Sequence, residues 1–483
     1  MLVGIDVGTQ SLKAVVVDER LRVRGEASIS YSVSVPRAGW AEQDPALWLS
    51  ALRPAIGRAL AAADTRPTVV QGLGVAGQLD GCLAVDGAGQ ALSPCLIWMD
   101  RRATLEAARP DAPELRRRTG VLPDAIHMAP KAAWLARHLA TAPLRFHQPT
   151  SFLVERLCGM AVMDRALAST TMVYDLAAAG FADDLLASFK LKRSALPALA
   201  SCAERAAPLH AEGAELTGLP QGTLVAVGTG DDFSGAFGGG VTAPGVLACT
   251  LGTAEVVGAL HPIPVIDAGN LLETHAFPCG GFFLENPGWL CGGAVAWLQT
   301  LLRLDDPASL HTLASEAPPG ADHLLFLPAM TGAMAPEWDA RARGAFYGLS
   351  PAHGAAHLAR AVLEGCAFAM TDVLARLIAL GVRVDTVRLL GGGARSAVWA
   401  QIRADVSGLP VEQVDGVDAS ALGAAACAAV AAGLGPDLVA VIEGAERTVR
   451  TVFPTPDGID FYAGRHAAHG RLFRSLQPMF EAP

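Results

Sequence analysis

The chain has 483 residues, of which 51% are hydrophobic and 17% charged, and its formal net charge is −10. This length exceeds what one hydrophobic core usually organises, so we expect two domains. The negative balance, with no basic stretch to offset it, argues against a nucleic-acid-binding protein.

Apolar runs bounded by polar residues or glycine predict a β-meander at the start of the chain and further strands after it. In the first half the predicted strands are 2–5, 12–17, 21–35, 69–75, 92–98 and 224–227. Helical periodicity behind an N-capping Asp44 predicts a helix over 45–63, and the region 101–199 is largely helical in pattern. We expect a domain boundary near 240–245.

The second half repeats this order. Its predicted strands flank Gly252 and Thr253 and then cover 282–284, 326–328, 386–390 and 411–414, and its predicted helices are 292–302, 355–380, 397–407 and 419–432. Hairpin strands followed by alternating helices and strands, twice over, predict an α/β fold in two related halves.

The nine cysteines are isolated residues, and none forms a C-x-x-C pair. This pattern is typical of buried thiols in a cytoplasmic protein and not of a disulfide framework or a zinc site. The N-terminus shows no secretion leader. The run 419–435 is rich in Ala and Gly, which favours a tightly packed helix over a membrane span. We therefore expect a cytoplasmic location and no membrane partner.

Two segments of similar build stand about half a chain apart. Residues 4–13 read GIDVGTQSLK and residues 247–255 read LACTLGTAE. Each is an apolar strand, a Gly-Thr turn and a second apolar strand. Such a turn can direct several backbone N–H groups and a hydroxyl at one point, which suits a phosphate group. The pair therefore predicts two domains that hold one nucleotide.

The first hairpin offers Asp6, Gly8, Thr9, Gln10 and Lys13. A carboxylate at the end of a buried strand is costly unless it is paired or near a metal, so Asp6 suits Mg²⁺, directly or through water. The glycine lets the backbone approach a phosphate closely. The alternative is an ordinary hairpin with a polar tip.

The second hairpin offers Gly252 and Thr253, which by themselves are more typical of a plain turn. The Gly-rich loop 391–394 follows a predicted strand and precedes a helix, so a flat base can lie against its backbone. It is not a G-x-G-x-x-G fingerprint, because Ser396 occupies the last position, and GLGVAG at 72–77 lies largely within a predicted strand. The chain has no Gly-Lys dipeptide and hence no Walker A motif. A P-loop is excluded, and a Rossmann interpretation is poorly supported.

Two adjacent carboxylates, Asp231 and Asp232, follow the predicted strand 224–227 and a Gly-Thr-Gly turn. Ligands of α/β sheets bind at the carboxyl ends of strands. An aspartate there can accept the proton of a substrate hydroxyl that attacks a γ-phosphate. The alternative is that one of the pair only caps the following helix.

Polar side chains at other strand ends of the first half suit a polyol. Gln78 and Asp80 follow the predicted strand 69–75, and Trp98 and Asp100 lie at the end of the apolar run 92–98. Each of them alone is more typical of a loop or a cap. Their value as a set comes from lying in the same half of the chain as the paired carboxylates.

In this order, these segments resemble the FGGY family of carbohydrate kinases, and within it the xylulokinase group. The resemblance covers residues 4 to about 430. The matching segments are GIDVGTQSLK, WAEQDP, GQLDG, the W-x-D-x-R form at 98–102, the Asp after GTG, LGTAE, GAFYGLSPAHGAAHLARAVLE and LGGGARS.

The resemblance implies two ribonuclease-H-like domains of the actin-like ATPase type with a nucleotide and sugar cleft between them. The domains would be 1–241, with the sugar site, and 242–483, with the adenosine site. Asp231 is implied as the catalytic base, and Asp6 as the catalytic residue associated with magnesium. The residues implied to bind the acceptor are Gln78, Leu79, Asp80, Trp98, Asp100 and Asp232. Those implied to bind ATP are Gly8, Thr9, Gln10, Lys13, Gly252, Thr253, Gly392, Gly393 and Ala394.

The chain departs from the xylulokinase pattern at four places. Leu79-Asp80 stands where Met-His is usual, Asp232 and Met99 stand where Asn is usual, and Ala333-Met334 stands where Glu-Arg is usual. A carboxylate only accepts hydrogen bonds, whereas Asn also donates and His does either. The acceptor hydroxyls are therefore recognised by a different set of groups.

We expect ATP- and Mg²⁺-dependent phosphorylation of a primary hydroxyl of a small ketose. The leading candidate reaction is the conversion of D-xylulose to D-xylulose 5-phosphate. Ribulose, erythrulose or a polyol are the alternative acceptors. A sugar-binding regulatory protein that has lost catalysis and an actin- or chaperone-like ATPase are alternatives of other classes. The expected partners are a small-molecule sugar and MgATP, and we expect neither nucleic acid nor a membrane as a partner. The sequence leaves open whether the chain forms a homodimer.

Overall fold

The computed structural model describes residues 1–109, 111–414 and 418–480. The chain forms two compact units, each assembled from three segments. Unit 1 comprises Met1–Thr242, Thr274–Phe282 and Val417–Glu446, and unit 2 comprises Ala243–Glu273, Phe283–Gly416 and Arg447–Pro483. The first crossing between the units lies between Thr242 and Ala243. The two continuous domains, 1–241 and 242–483, stay a prediction.

Helices and strands alternate along the chain, which confirms the α/β prediction. In chain order the strands are β1 (Leu2–Val7), β2 (Ser11–Val17), β3 (Val23–Ser30), β4 (Glu42–Gln43), β5 (Gly72–Gly77), β6 (Leu83–Val85), β7 (Cys95–Leu96), β8 (Arg145–His147), β9 (Val162–Asp164), β10 (Tyr174–Asp175), β11 (Gly180–Phe181), β12 (Ala198–Ala200), β13 (Arg205–Pro208), β14 (Leu224–Ala226), β15 (Thr229–Gly230), β16 (Gly245–Leu251), β17 (Glu255–His261), β18 (Glu273–Ala276), β19 (Phe282–Trp289), β20 (Leu325–Leu327), β21 (Ala345–Tyr347), β22 (Val384–Leu390), β23 (Val411–Val414) and β24 (Val449–Val452).

In chain order the helices are α1 (Pro45–Ala62), α2 (Thr104–Ala107), α3 (Ala112–Thr119), α4 (Met128–His138), α5 (Pro149–Cys158), α6 (Arg165–Ser169), α7 (Asp183–Ser188), α8 (Ala211–Thr217), α9 (Asp231–Gly238), α10 (Cys291–Leu302), α11 (Pro307–Glu316), α12 (Ala355–Ala379), α13 (Ala397–Ser407), α14 (Ala419–Ala431), α15 (Leu438–Glu443) and α16 (Pro456–Leu476). Helix α1 begins where predicted, because the Asp44 carboxylate accepts a hydrogen bond from the Ala46 N–H at 2.9 Å.

Unit 1 is built on a sheet in which the strands run in the order β13–β14–β5–β1–β2–β3. The predicted meander is confirmed, since β1 pairs antiparallel with β2, and β2 antiparallel with β3. On the other side of β1, β5 lies parallel to it, and β14 lies parallel to β5. All six residues of β1 are buried, as expected for a central strand covered on both faces.

Unit 2 has a sheet in which six strands run in the order β19–β17–β16–β22–β23–β24. The pairs β16–β17 and β23–β24 are antiparallel, and β16–β22 and β22–β23 are parallel. These directions match β1–β2, β14–β13, β1–β5 and β5–β14 of unit 1. The prediction that the two halves repeat one order of elements is confirmed at the level of topology.

Small residues let helix α14 lie directly on the sheet of unit 1. A Cβ atom on Gly4 of β1 would lie 1.9 Å from the Ala421 carbonyl oxygen, and one on Gly74 of β5 would lie 1.8 Å from that of Ala424. Only glycine permits this approach. Helix α14 is therefore the tightly packed helix predicted for this Ala-rich run. No helix in the described part of the chain is long and apolar enough to cross a membrane.

The strand predicted over 69–75 begins later in the structure. Pro67–Val69 forms a single 3-10 turn, and β5 covers Gly72–Gly77. Pairing sets these limits, because Leu2–Val7 and Gly72–Gly77 align residue for residue. The GLGVAG segment is thus a strand and not a dinucleotide-binding loop. All nine cysteines are free thiols, and all except Cys279 are buried, as the sequence predicts.

Candidate active site

Three neighbouring strands of unit 1 end at one edge of the sheet. Strands β1 and β15 each pair in parallel with β5, and both pairings run up to Gly77. The residues that follow these strand ends are therefore neighbours: the turn that starts at Gly8, then Gln78, and Asp231. Carboxyl ends of parallel strands are where α/β sheets bind ligands. The topology thus brings together residues predicted to bind phosphate and acceptor and the predicted base.

The turn between β1 and β2 is held through its carbonyl groups. The Tyr31 hydroxyl donates to the Gly8 carbonyl at 2.8 Å, and the Gln43 side-chain amide donates to the Thr9 carbonyl at 2.6 Å. The Tyr31 backbone N–H donates to the Gln10 carbonyl at 3.0 Å. Three consecutive carbonyl groups are therefore engaged by the protein, which fixes the conformation of the turn.

Next to this turn, Lys13 lies among carboxylates. Its Nζ donates to Asp418 Oδ2 at 2.5 Å and lies 3.8 Å from Asp6 Oδ2. Asp418 also caps α14, because its Oδ1 accepts from the Ala421 N–H at 2.9 Å. Burial disfavours the ammonium, but the two carboxylates outweigh it and raise the pKa of Lys13. The lysine is therefore charged and held in place.

Asp6 is the buried carboxylate of this cluster. It is 5% exposed, and its Oδ1 has no hydrogen-bond partner within the described residues. Burial, with repulsion from Asp418 and Asp231, raises the pKa of Asp6 well above its ordinary value, although Lys13 opposes the rise. An unpaired carboxylate oxygen is a hard donor that suits Mg²⁺ or a water bound to it.

The donor set around Asp6 limits how a magnesium ion would be bound. Across residues 1–109, 111–414 and 418–480, no group of three or more His, Cys, Asp and Glu side chains is positioned to hold a metal. Mg²⁺ commonly keeps several waters and takes one or two carboxylates together with substrate phosphates. Asp6 fits that kind of ion, and it does not fit a metal caged by protein side chains.

Asp231 is the first residue of helix α9. Gly230 occupies the N-cap position, so the interpretation of Asp231 or Asp232 as the helix cap is wrong. The Ser420 hydroxyl donates to the Asp231 carbonyl oxygen at 3.0 Å, and the Ser234 hydroxyl donates to the Ser420 carbonyl at 2.7 Å. Burial raises the pKa of Asp231 to about 6, although nearby backbone N–H groups oppose it. A carboxylate with this pKa suits a general base near neutral pH.

The residues that follow β5 lie against the turn that precedes Asp231. A Cβ atom on Gly230 would lie 1.9 Å from Leu79 Cδ2, so these two residues are in direct contact. Gln78 is buried, and its amide donates to Gln43 Oε1 at 2.7 Å. Since Gln43 also binds the first Gly-Thr turn, one hydrogen-bonded network joins the predicted phosphate and acceptor residues.

Asp80 has a left-handed backbone, with φ 60°. Its N–H donates to Gln148 Oε1 at 2.8 Å, its carbonyl accepts from Lys131 Nζ at 2.8 Å, and its Oδ1 lies 3.1 Å from His127 Nδ1. Gln148, Lys131 and His127 are fully buried. Gln148 and Lys131 hold the backbone of Asp80, and His127 contacts its carboxylate.

Trp98 and Asp100 are placed differently from each other. Trp98 is 40% exposed, and its indole N–H donates to Thr9 Oγ1 at 3.0 Å, next to the first turn. Asp100 is fully buried, and its carboxylate accepts from the Ala41 N–H at 2.7 Å and from the Arg102 side chain at 2.9 Å. The carboxylate of Asp100 is enclosed by protein donors, in contrast to its predicted contact with the acceptor.

In unit 2, the second Gly-Thr turn connects β16 and β17. The Gly252 N–H donates to the Ala254 carbonyl at 3.0 Å, which closes a tight turn. The Gly293 N–H donates to the Thr253 carbonyl at 2.9 Å. Gly252 and Thr253 are both exposed. The predicted hairpin is confirmed, and its tip is available to a ligand.

The Gly-rich segment after β22 forms a 3-10 turn, Gly392–Arg395, and helix α13 follows it. Gly391 has φ 80°, and a Cβ atom on Gly392 would meet nothing within 4 Å. Ala394 is buried, and its carbonyl accepts from the Gln413 amide. Gly392 thus leaves open backbone between strand and helix, which suits the flat base that the sequence predicts there, whereas a Cβ atom on Gly393 would lie 2.9 Å from Leu251 Cβ and 3.0 Å from the Trp399 ring.

A fully buried ion pair anchors the second turn. Glu255, the first residue of β17, and Arg403 of α13 are both 0% exposed, and two hydrogen bonds of 2.6 and 2.8 Å join them. The Arg403 guanidinium also lies 4.7 Å from the Trp399 ring centroid. A buried charge is stable only with such a partner.

Sequence reasoning missed three residues of the unit 1 site: His127, Lys131 and Asp418. Asp418 carries only the signal of a capping residue before an Ala-rich helix. Lys131 is one of just four lysines in the chain, and this rarity was a usable signal. His127 has no signal in the sequence, because its partner Asp80 is brought to it only by the fold.

The fold and these residues define a two-domain α/β kinase. Residues 1–238 match the N-terminal domain of the FGGY family of carbohydrate kinases, and residues 247–432 match the C-terminal domain of that family. The chain belongs to the FGGY family of carbohydrate kinases and is a phosphotransferase.

The chain is similar to kinases that are named for different acceptors. It is 32% identical to a xylulose kinase of Klebsiella pneumoniae over 488 residues, which cover 99% of this chain and 100% of the relative. It is 31% identical to a glycerol kinase of Alkalilimnicola ehrlichii, with 90% of each chain covered. The crystal structure of a "xyloylose kinase" from Brucella ovis superposes with a TM-score of 0.90 at 30% identity, with 99% of both chains covered.

Proposed function

We propose that this kinase transfers the γ-phosphoryl group of ATP to a primary hydroxyl of a small ketose. The proposed acceptor is D-xylulose, and the product is D-xylulose 5-phosphate. The observation that carries this proposal is the position of Asp231. It directly follows Gly230, the last residue of β15, and Gly230 contacts Leu79 of the predicted acceptor site. Similarity to a xylulose kinase over 99% of the chain supports the acceptor. The nine free thiols support a reducing, cytoplasmic setting.

Asp231 acts on the acceptor. Its carboxylate accepts a hydrogen bond from the acceptor hydroxyl and takes that proton as the oxygen bonds to the γ-phosphorus and the bond to the ADP oxygen breaks. The proton then resides on the Asp231 carboxylate. The rigid Gly8 turn and the Lys13 ammonium orient the phosphate groups and offset their charge.

The remaining residues bind the nucleotide. The Gly252–Thr253 turn contacts phosphate oxygens through Thr253, because the Gly252 N–H is bonded to the Ala254 carbonyl, and the open backbone at Gly392 receives the adenine. Asp6 holds Mg²⁺ or a water bound to it. When bound, this ion neutralises charge on the phosphate oxygens.

Turnover is expected to follow the ionisation of Asp231. Because burial raises the pKa of Asp231 to about 6, the base is ionised above that pH and protonated below it. We expect kcat/KM for the acceptor to be level between pH ~7 and pH ~8 and to fall about tenfold per pH unit below pH ~6. The measurement is a pH–rate profile at saturating MgATP, and a profile that stays level down to pH ~4.5 contradicts the assignment.

The acceptor pocket favours a neutral sugar, because Asp80 presents a fixed carboxylate. Asp80→Asn is expected to lower kcat/KM for a ketose by roughly 10- to 100-fold, since a hydrogen bond to a charged group contributes about 1.5–3 kcal/mol. Activity toward the matching sugar acid is expected to rise, because charge repulsion is removed. Both rates are measured by coupled ADP release.

The matched control is Asp64→Asn. Asp64 also has a left-handed backbone, with φ 45°, but it is exposed, so this variant tests the backbone effect of the same substitution. Its rates are expected to equal those of the wild type. An unchanged ratio of ketose to sugar-acid activity in Asp80→Asn would refute the selection of a neutral acceptor.

The acceptor itself is tested with a panel of ketopentoses, ketotetroses, ketohexoses and polyols in the same assay. D-xylulose is expected to give the highest kcat/KM. A preference for glycerol or another polyol would overturn the ketose assignment and favour a polyol kinase, for which the 31% identity to a glycerol kinase is the specific support.

A further inference from the structure

Lys131 is a fully buried lysine in helix α4. Its ammonium donates to three backbone carbonyl oxygens, those of Asp80 at 2.8 Å, Ile97 at 2.7 Å and Ile126 at 2.5 Å. Three donors thus meet three acceptors, so the bonding capacity of the ammonium is filled. Burial of a charged group costs free energy unless hydrogen bonds or an opposite charge compensate it, so we expect a buried ammonium where it organises the residues around it.

The three carbonyl groups belong to three separate segments of unit 1. Asp80 follows strand β5, and Ile97 follows strand β7 and directly precedes Trp98. Ile126 directly precedes His127, which occupies the N-cap position of α4 and contacts the Asp80 carboxylate. Each segment therefore carries a polar or aromatic side chain of the acceptor region.

We propose that Lys131 is a positioning residue that joins the three segments of the acceptor site through their backbone carbonyl groups. This inference rests on the proposed function, in which these segments bind the sugar. Lys131 has no contact with the acceptor in this role. It fixes the distances among Asp80, Trp98 and His127, and so it sets acceptor affinity without affecting nucleotide affinity.

The number of donors makes this role sensitive to the charge of the lysine. A protonated amine has three N–H donors and a neutral amine has two, so deprotonation leaves one buried carbonyl group unpaired. Burial lowers the pKa of Lys131 to about 8, although Asp80, Cys95, Asp100 and Cys82, which face it, favour the charged form. The acceptor region is therefore expected to loosen as the pH rises above ~8.

The experiment compares wild type, Lys131→Met and Lys131→Arg. Lys131→Met keeps an unbranched side chain and removes all three donors, so the acceptor KM for D-xylulose is expected to rise by roughly tenfold or more, while the KM for ATP stays within about twofold. Lys131→Arg keeps a permanent charge and several donors, and it is expected to recover part of the affinity. Lys192→Met, at an exposed lysine, is the matched control and is expected to behave as wild type.

A pH series of the two KM values adds a measurement that would not change in this way if Lys131 only stabilised the fold. In the wild type, the acceptor KM is expected to rise above pH ~8 while the KM for ATP stays level, and in Lys131→Arg this alkaline rise is absent. If either variant fails to fold, the pair of wild-type KM profiles decides the question alone.

The outcomes separate this inference from the function on which it rests. If the wild type turns over no acceptor of the panel and calorimetry detects no sugar binding, the proposed function fails. If the wild type is active and Lys131→Met keeps the wild-type acceptor KM, or both KM values rise together with pH, the positioning role is overturned. A rise confined to the acceptor KM supports it.

Discussion

Replacement of Asp231 by asparagine is expected to lower kcat by about 10²–10⁴-fold while ATP and sugar still bind. The amide keeps the size of the side chain but cannot take the hydroxyl proton, and a positioned base contributes about this factor. The backbone of Asp231 stays held by Ser420, so the position of residue 231 is preserved. Turnover is measured by coupled ADP release, and binding of each ligand by calorimetry.

The comparison variant is Asp232→Asn, which changes the same charge one residue further along α9. It is expected to change the acceptor KM and to keep most of kcat, because Asp232 is proposed to contact the sugar and not the reacting hydroxyl. Turnover of Asp231→Asn close to that of the wild type would remove the base from the mechanism.

Replacement of Arg403 by methionine is expected to lower the free energy of unfolding by about 3–5 kcal/mol, because Glu255 is left as an uncompensated buried charge. Both side chains are 0% exposed. The effect reaches the nucleotide site as well, since Glu255 begins the strand that follows the Gly252–Thr253 turn. We expect a raised KM for ATP, measured beside urea denaturation.

A double-mutant cycle separates the ion pair from packing. The variant that carries Glu255→Met and Arg403→Met has no buried charge at either position, so it is expected to be more stable than Arg403→Met alone. Equal or lower stability of the double variant would mean that the loss comes from packing around Trp399 and not from the unpaired carboxylate.

Short-range patterns explain how much of the fold the sequence predicts. The two Gly-Thr hairpins, the Asp44 cap and helix α13 over Ala397–Ser407 depend on residues within a few positions of each other, and the structure confirms them. The limits of β5 depend instead on pairing with β1, about 70 residues earlier. No local pattern fixes that register, so the predicted limits were displaced.

The same distinction applies to the site. Asp231 and Asp6 stand at ends of strands, where the sequence alone marks a carboxylate as unusual. Asp418 meets Lys13 across 405 positions of sequence, and Lys131 meets three carbonyl groups whose residues carry no pattern in common. Only the packing of α14 and α4 in unit 1 brings these groups together. For Asp100, the local motif predicts a residue of the site, but it does not indicate that Ala41 and Arg102 enclose the carboxylate.

The central claim is acceptor-dependent phosphoryl transfer by this chain, and the most direct measurement is the rate of ADP release from MgATP with and without D-xylulose, with identification of the sugar product. We predict saturable release that requires the sugar, with one sugar 5-phosphate formed per ADP. Equal release without any sugar would indicate an ATPase of another class. No release with any acceptor of the panel, together with measurable sugar binding, would indicate a regulatory sugar-binding protein, and either result contradicts the account.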